Sequence, residues 1–232
     1  EMDRDFAPRH RILEINCGTG VDAIHMARRA VEVFAYDASP AMVSVAQSRV
    51  GRESLQDRVR LGVLSNEDLA RIEGESLFDG LLSDFGGLNC VENLLALARD
   101  AARLLKPNAP ALVCVFGRFC VWELLWYLGQ LNLRKSFRRL RGGVPSRIGE
   151  DAPVTVYYHS IHAIRRAFEP YFTLDRWRGI GVAVPPSYLE GIARRFAGTF
   201  AVAARVDQRL SGFPVWRNLA DHALLVFRRR QA

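Results

Sequence analysis

Through the first half of the chain, short apolar runs alternate with stretches whose apolar residues recur at helical spacing. RILEI at 11–15 is such a run. A glycine turn follows, and DAIHMARRA then spaces its apolar residues three and four apart, so strand, loop and helix are predicted in that order. VEVFAYD at 31–37 is rich in β-branched and aromatic residues and predicts a second strand. SPAMVSVAQSRV predicts a helix with Ser39 as N-cap and Pro40 at its first position, where a missing N–H loses no intrahelical bond. VRLGVL (59–64) and FDGLLS (78–83) predict strands three and four. A helix is expected from about Val91 to Leu105, and ALVCVF at 111–116 as strand five. This alternation predicts an α/β, Rossmann-like, mostly parallel sheet with helices on both faces.

After Phe116 the rhythm changes. An aromatic helix is expected over about 120–140, then a hairpin whose second strand is VTVYYHS (154–160), then a helix over 160–171. FTLDRWRGIGVAV (172–184) and HALLVFRRR (222–230) bring the strand count to seven, with one helix or two between them up to about Leu210. The reading is one domain over 1–232, with a helical and hairpin cap inserted at about 118–159 and a second helical insertion at about 185–218.

At 232 residues, 49% hydrophobic and 25% charged, the chain can bury one sizeable core. The net charge of +7 comes mostly from arginine clusters: RKSFRRLR at 134–141, pairs at 165–166 and 194–195, and a triplet at 228–230. Such charge speaks of association and not of fold, and the known nucleic-acid recognition motifs are missing, so nucleic acid is not the expected partner. Cys17, Cys90, Cys114 and Cys120 are widely spaced, without a CxxC pair and in apolar surroundings, so reduced thiols are expected and no metal site. With no signal-like segment the cytoplasm is the default location.

The first turn carries the chemistry. G-T-G-V-D-A (18–23) fits the loose dinucleotide pattern GxGxxG/A: Gly18 and Gly20 permit positive φ and close ligand approach, and the helix beginning near Val21 offers free N–H donors. Asp37, ending strand two, is placed to accept from the ribose hydroxyls of an adenosine. NAD and S-adenosylmethionine sites share that much. Glu14 separates them, because a dehydrogenase strand is normally apolar at that position.

At these residues the sequence resembles the class I S-adenosylmethionine-dependent methyltransferases of the small-molecule type with an LExxCGTG first motif. LEINCGTG, YDASPAMV, LSNEDL, FDGLLSDFGGLN and LLKPNAPALVCV occur in that family's order, well over 11–116 and loosely over 160–228. The resemblance implies that Glu14, Asn16, Gly18 and Gly20 line the methionine part of S-adenosyl-L-methionine and that Asp37 holds the ribose. It implies further that Ala38 and Met42 flank the adenine, that Asn66 and Glu67 meet the adenine edge, and that Asp84 and Phe85 lie beside the amino group and the transferred methyl. S-adenosyl-L-homocysteine is the implied product. Asn16 in place of the first glycine, and Pro107-Asn108-Ala109 in place of a Pro-Gly-Gly turn, depart from the family pattern; the first is expected to shift the loop slightly.

Methyl transfer from a sulfonium is an in-line displacement, so alignment and exclusion of water are the protein's main tasks, and a base is needed only when the acceptor must lose a proton. VYYHS (156–160) supplies the candidates: His159 as general base, Tyr158 or Tyr157 to orient an acceptor. The segment 119–141 is apolar in its first half and carries five positive charges in its second, and it is too short to span a membrane. Three readings stay open for it: a lid over an apolar or aromatic, lipid-like acceptor; an interfacial helix lying on the inner face of an anionic membrane; and a contact between two copies of the chain, which otherwise is a monomer. RNA or protein methylation, and a non-catalytic cofactor-binding scaffold, are the alternatives to small-molecule transfer.

Overall fold

A computed structural model of the chain describes residues 1–72, 77–146, 154–184 and 197–231. Seven strands form one sheet: β1 (Arg11–Ile15), β2 (Glu32–Asp37), β3 (Val59–Val63), β4 (Gly80–Ser83), β5 (Pro110–Phe116), β8 (Phe172–Ile180) and β9 (His222–Arg229). Their order is β3-β2-β1-β4-β5-β9-β8, with β9 antiparallel to both neighbours and the other pairs parallel. β6 (Val144–Ser146) and β7 (Val154–Val156) make a separate antiparallel pair.

The sheet is apolar on both sides, and alternate residues of one strand enter different cores. Leu13, Ile15, Leu81, Val113 and Leu225 pack under α4 (Leu94–Leu104) and α7 (Ile161–Phe168). Ile12, Val33, Leu82, Leu112 and Val226 pack on the opposite face with α2 (Val21–Arg28) and α3 (Pro40–Arg52). The chain order reverses between β1 and β4, so their carboxyl ends open the crevice where ligands bind in such sheets.

Local signals set most element ends. Ser39 caps α3, its side chain accepting from the Met42 N–H, with Pro40 next in line. The helix expected from Val91 begins instead at Leu94, because a 3₁₀ turn over Gly87–Cys90 intervenes and Asn93 is the residue whose side chain accepts from the Ala96 N–H. The single helix expected over 120–140 is broken into α5 (Val121–Gly129), α6 (Leu133–Ser136) and a 3₁₀ turn at Arg138–Leu140. Leu131 adopts a positive φ of 55° and Asn132 caps the new helix at Lys135, which stops propagation. The strand expected to reach residue 184 ends at Ile180, and the strand expected over 154–160 ends at Val156. A helix at Ala197–Leu210 and a short one at Pro214–Asn218 precede β9. The start of the second insertion, 185–196, and the hairpin tip, 147–153, lie outside the described residues.

Candidate active site

The loop leaving β1 turns through three left-handed residues, Asn16, Gly18 and Gly20, with φ of 60°, 53° and 75°. Gly20 has a second reason to be glycine: a Cβ there would meet the Ala46 Cβ at 3.0 Å, so the residue lets α3 lie close to the start of α2. A Cβ on Gly18 would meet nothing within 4 Å, which leaves this loop face open to a ligand. Asp37 ties the loop to the end of β2: its Oδ2 accepts from the Gly18 N–H and its Oδ1 from the Ser39 N–H, both at 2.9 Å.

Asn16 carries a side chain where a glycine is usual, and that side chain has a defined place. Its amide donates to Asn66 Oδ1 at 2.9 Å and accepts from Asn66 Nδ2 at 3.1 Å, joining the ends of β1 and β3. Space for it comes from Gly87, whose hypothetical Cβ would lie 2.2 Å from the Asn16 Cγ. Asn66 opens a 3₁₀ turn, Asn66–Arg71, on which Glu67 is exposed. Ala38 and Met42 are exposed beside Asp37 at the start of α3.

Behind the loop lies a concentration of acid. Glu14 is 2% exposed and its Oε2 has no hydrogen-bond partner. Burial, and then Asp22, Asp84 and Asp37, push its pKa well above the ordinary carboxylate value. Asp22 is raised as well, by burial and by Asp84. A buried acid pushed toward its neutral form by neighbouring acids marks a surface where negative charge already crowds, and such a surface repels an anion and favours a cation. The pyrophosphate of a dinucleotide fits this surface poorly, whereas the α-ammonium and sulfonium of S-adenosylmethionine fit it well. With the open glycine face and the Asp37 carboxylate, the residues present suit that cofactor.

Toward β5 the site becomes aromatic. Phe85, 71% exposed and at a positive φ of 45°, stands edge-on to the His222 ring at 5.8 Å, and the Phe116 ring lies 4.8 Å from that of His222. A cavity of about 150 Å³ opens here, lined by Leu82, Asp84, Phe85, Leu112, Cys114 and His222 among others. His222 Nδ1 sits 3.2 Å from Asp221 Oδ2. Burial works to raise the Asp221 pKa, but the His222 hydrogen bond and the Arg139 charge outweigh it and lower the value to about 2.

The two residues expected to act on an acceptor part company. Tyr158 joins the aromatic group: Arg139 lies over its ring at 5.4 Å and Phe116 stands at 6.4 Å, with burial raising its pKa against the opposing pull of Arg138 and Arg139. His159 turns away, its Nε2 donating to the Val91 carbonyl at 2.8 Å and its ring stacked on Tyr157. Asn89, buried and unremarked in the sequence, connects these parts. Its Oδ1 accepts from the Phe116 N–H and its Nδ2 donates to the Tyr157 carbonyl, both at 2.8 Å, so β5 and the segment after β7 share one anchor.

Four more residues escape sequence reasoning. Glu123 on α5, almost wholly buried, receives Arg138 at 2.6 Å and Arg139 at 2.8 Å, and Arg139 also donates to Asp221 at 2.7 Å and to the carbonyls of Gly117 and Asp221. This network seats the cap on the carboxyl end of β5 and the first residues of β9. A lone acid in an apolar helix was the one local signal for it.

An open sheet in this strand order, with a glycine loop and a terminal acid on β2, defines the nucleoside-cofactor class of Rossmann-like proteins. Within it, residues 12–108 of the chain match the family described as "Methyltransferase domain". The ubiquinone/menaquinone biosynthesis C-methyltransferase UbiE of Geotalea daltonii is 29% identical over 127 residues, 53% of each chain. A ubiquinone biosynthesis O-methyltransferase of Xanthomonas campestris is 33% identical over 117 residues, 48% of this chain and 45% of its own. The chain thus spans about half the length of these curated relatives. A SAM-dependent methyltransferase from Methanosarcina mazei shares the fold, with a TM-score of 0.68 at 15% identity over 100% of this chain and 97% of that one.

Proposed function

We propose that this protein binds S-adenosylmethionine along the carboxyl edge of β1, β2 and β4 and transfers its methyl group to a small apolar or aromatic acceptor. The observation that carries the reading is the buried Glu14 beside the open glycine loop, its Oε2 without a hydrogen-bond partner, with Asp22, Asp37 and Asp84 around it. When bound there, the cofactor supplies an electrophilic methyl group on a sulfonium. Gly18 and Gly20 leave room for its amino-acid arm, Asp84 compensates its positive charge beside Glu14, and Asp37 accepts from the ribose. Asn66 reaches the adenine edge while holding Asn16, with Glu67 next to it and Ala38 and Met42 flanking the ring.

Phe85, Phe116 and Tyr158 line the acceptor side, where apolar walls exclude water and favour a flat or lipid-like molecule. Tyr158 orients the acceptor. His159 is held by the Val91 carbonyl, so the task of taking a proton passes to His222, which Asp221 orients through Nδ1. The relatives' names supply two acceptor atoms, carbon and oxygen, and quinone biosynthesis as their setting; an acceptor of that apolar, aromatic kind fits the lining here.

Calorimetry with S-adenosylhomocysteine tests the cofactor part, and absence of binding overturns it. Transfer of label from S-adenosylmethionine to phenol, quinol, lipid and RNA fractions tests the acceptor class. Label in RNA alone would replace the small-molecule reading, and binding without transfer to any fraction would leave a scaffold.

A further inference from the structure

Helix α5 buries its one charged residue and leaves two large apolar ones outside. Its buried residue is the acid Glu123, while Leu125 and Trp126 are exposed, the latter by 43%. Surface helices of soluble proteins normally turn the apolar stripe inward and the charge outward. Here the buried ion network of Glu123, Arg138, Arg139 and Asp221 takes the acid inward instead. Trp122 is also engaged inward, its Nε1 donating to the Val182 carbonyl at 2.8 Å, so Leu125 and Trp126 are left facing away from the sheet. The apolar surface continues through the turn and α6: Leu131 is 89% exposed, with Leu133 and Phe137 exposed beyond it.

Among the described residues of 124–146 every charged side chain is a cation. Between Leu124 and Gly149 the sequence contains no aspartate or glutamate, and Arg134, Lys135 and Arg141 present exposed cationic side chains beside the apolar residues. Among the described residues no helix is long and apolar enough to cross a membrane. A two-fold contact between copies would bring these cations against their own symmetry mates, which disfavours a self-association surface. Large apolar and aromatic side chains bordered by bases match the interface of an anionic bilayer, where the former enter the headgroup boundary and the latter meet lipid phosphates.

We propose that the outer face of the cap, built on Trp126, Leu131, Leu133, Arg134 and Lys135, docks on an anionic lipid surface. The inference goes beyond the methyl-transfer reading and does not depend on it. Flotation of the full chain with vesicles of phosphatidylcholine, alone or with about 30% phosphatidylglycerol, reads it directly, each base near the surface contributing about fivefold in partitioning. At least a tenfold preference for the anionic vesicles is expected, weakening with salt. Arg134→Glu with Lys135→Glu should abolish that preference, and Leu131→Glu with Leu133→Glu should abolish binding while leaving S-adenosylhomocysteine affinity unchanged. Quenching of wild-type tryptophan emission by brominated anionic lipid provides a readout that needs no variant. The proposal is overturned by absence of vesicle binding, by equal binding to both lipids, or by binding that survives both pairs of substitutions. It is also overturned if those pairs abolish a concentration-dependent dimer that has no affinity for lipid.

Discussion

Asn16 and Asn66 exchange two amide hydrogen bonds, at 2.9 and 3.1 Å, across the carboxyl edge of the sheet. The pair shows how this loop keeps its shape with a side chain where glycine is usual. Asparagine tolerates the left-handed region better than other residues with a Cβ, and here its amide both donates and accepts. Asn16→Gly should lower unfolding free energy by about 1–2 kcal/mol in urea titrations, since two half-buried hydrogen bonds are lost, and should leave S-adenosylhomocysteine affinity within about threefold. Asn16→Leu has neither the tolerance for positive φ nor room beside Gly87, and should abolish binding in calorimetry.

Asp37 serves the loop and, on the proposed reading, the ribose. Asp37→Ala removes the acceptor for the Gly18 and Ser39 N–H groups as well as for the hydroxyls. Affinity for S-adenosylhomocysteine should fall by more than about tenfold, consistent with the loss of charge-assisted hydrogen bonds.

Glu14 and Asp221 set opposite pH dependences. The folded-state pKa of Glu14 is raised, so the folded chain keeps a proton there that the unfolded chain releases. Its contribution to stability is therefore present below the ordinary carboxylate value and declines as pH rises from about 4.5 toward the raised value. Asp221 is lowered to about 2, so its contribution is present above its ordinary value of 3.8 and is lost as pH falls from there toward 2. Thermal melts of the ligand-free chain should show both limbs. Glu14→Gln should flatten the upper one and raise Tm at neutral pH while weakening cofactor binding, and Asp221→Asn should flatten the lower one.

Arg139 is the centre of the cap anchor. Arg139→Met leaves the buried Asp221 without its cation and Glu123 with Arg138 alone, and should destabilise the chain by about 3–5 kcal/mol. Hydrogen exchange should report faster opening over 121–140 than over β1 to β4.

His222 and His159 are separable by kinetics. Once label transfer has identified an acceptor hydroxyl, His222→Gln should reduce kcat by roughly 10²-fold or more with little change in KM, as for loss of a proton acceptor. His159→Gln disturbs the Val91 carbonyl contact and should act mainly on Tm.

What the sequence determined by itself was local: alternation that makes the strands, Ser39 and Pro40 opening α3, and glycines where the β1 loop turns left-handed. Each depends on residues within a few positions, so periodicity and turn chemistry reveal it. The resemblance carried by LEINCGTG and the motifs after it extended that reading to the cofactor loop. The tertiary structure decided the rest. Asn16 meets a partner 50 residues away and Arg139 one 82 residues away, pairings set by which strand ends become neighbours in the sheet. For the same reason Leu125 and Trp126 of α5, a helix which the sequence left open to several uses, are exposed: the helix is oriented by where Arg138, Arg139 and Asp221 meet Glu123, and within 119–141 only the lone acid Glu123 hints at that meeting.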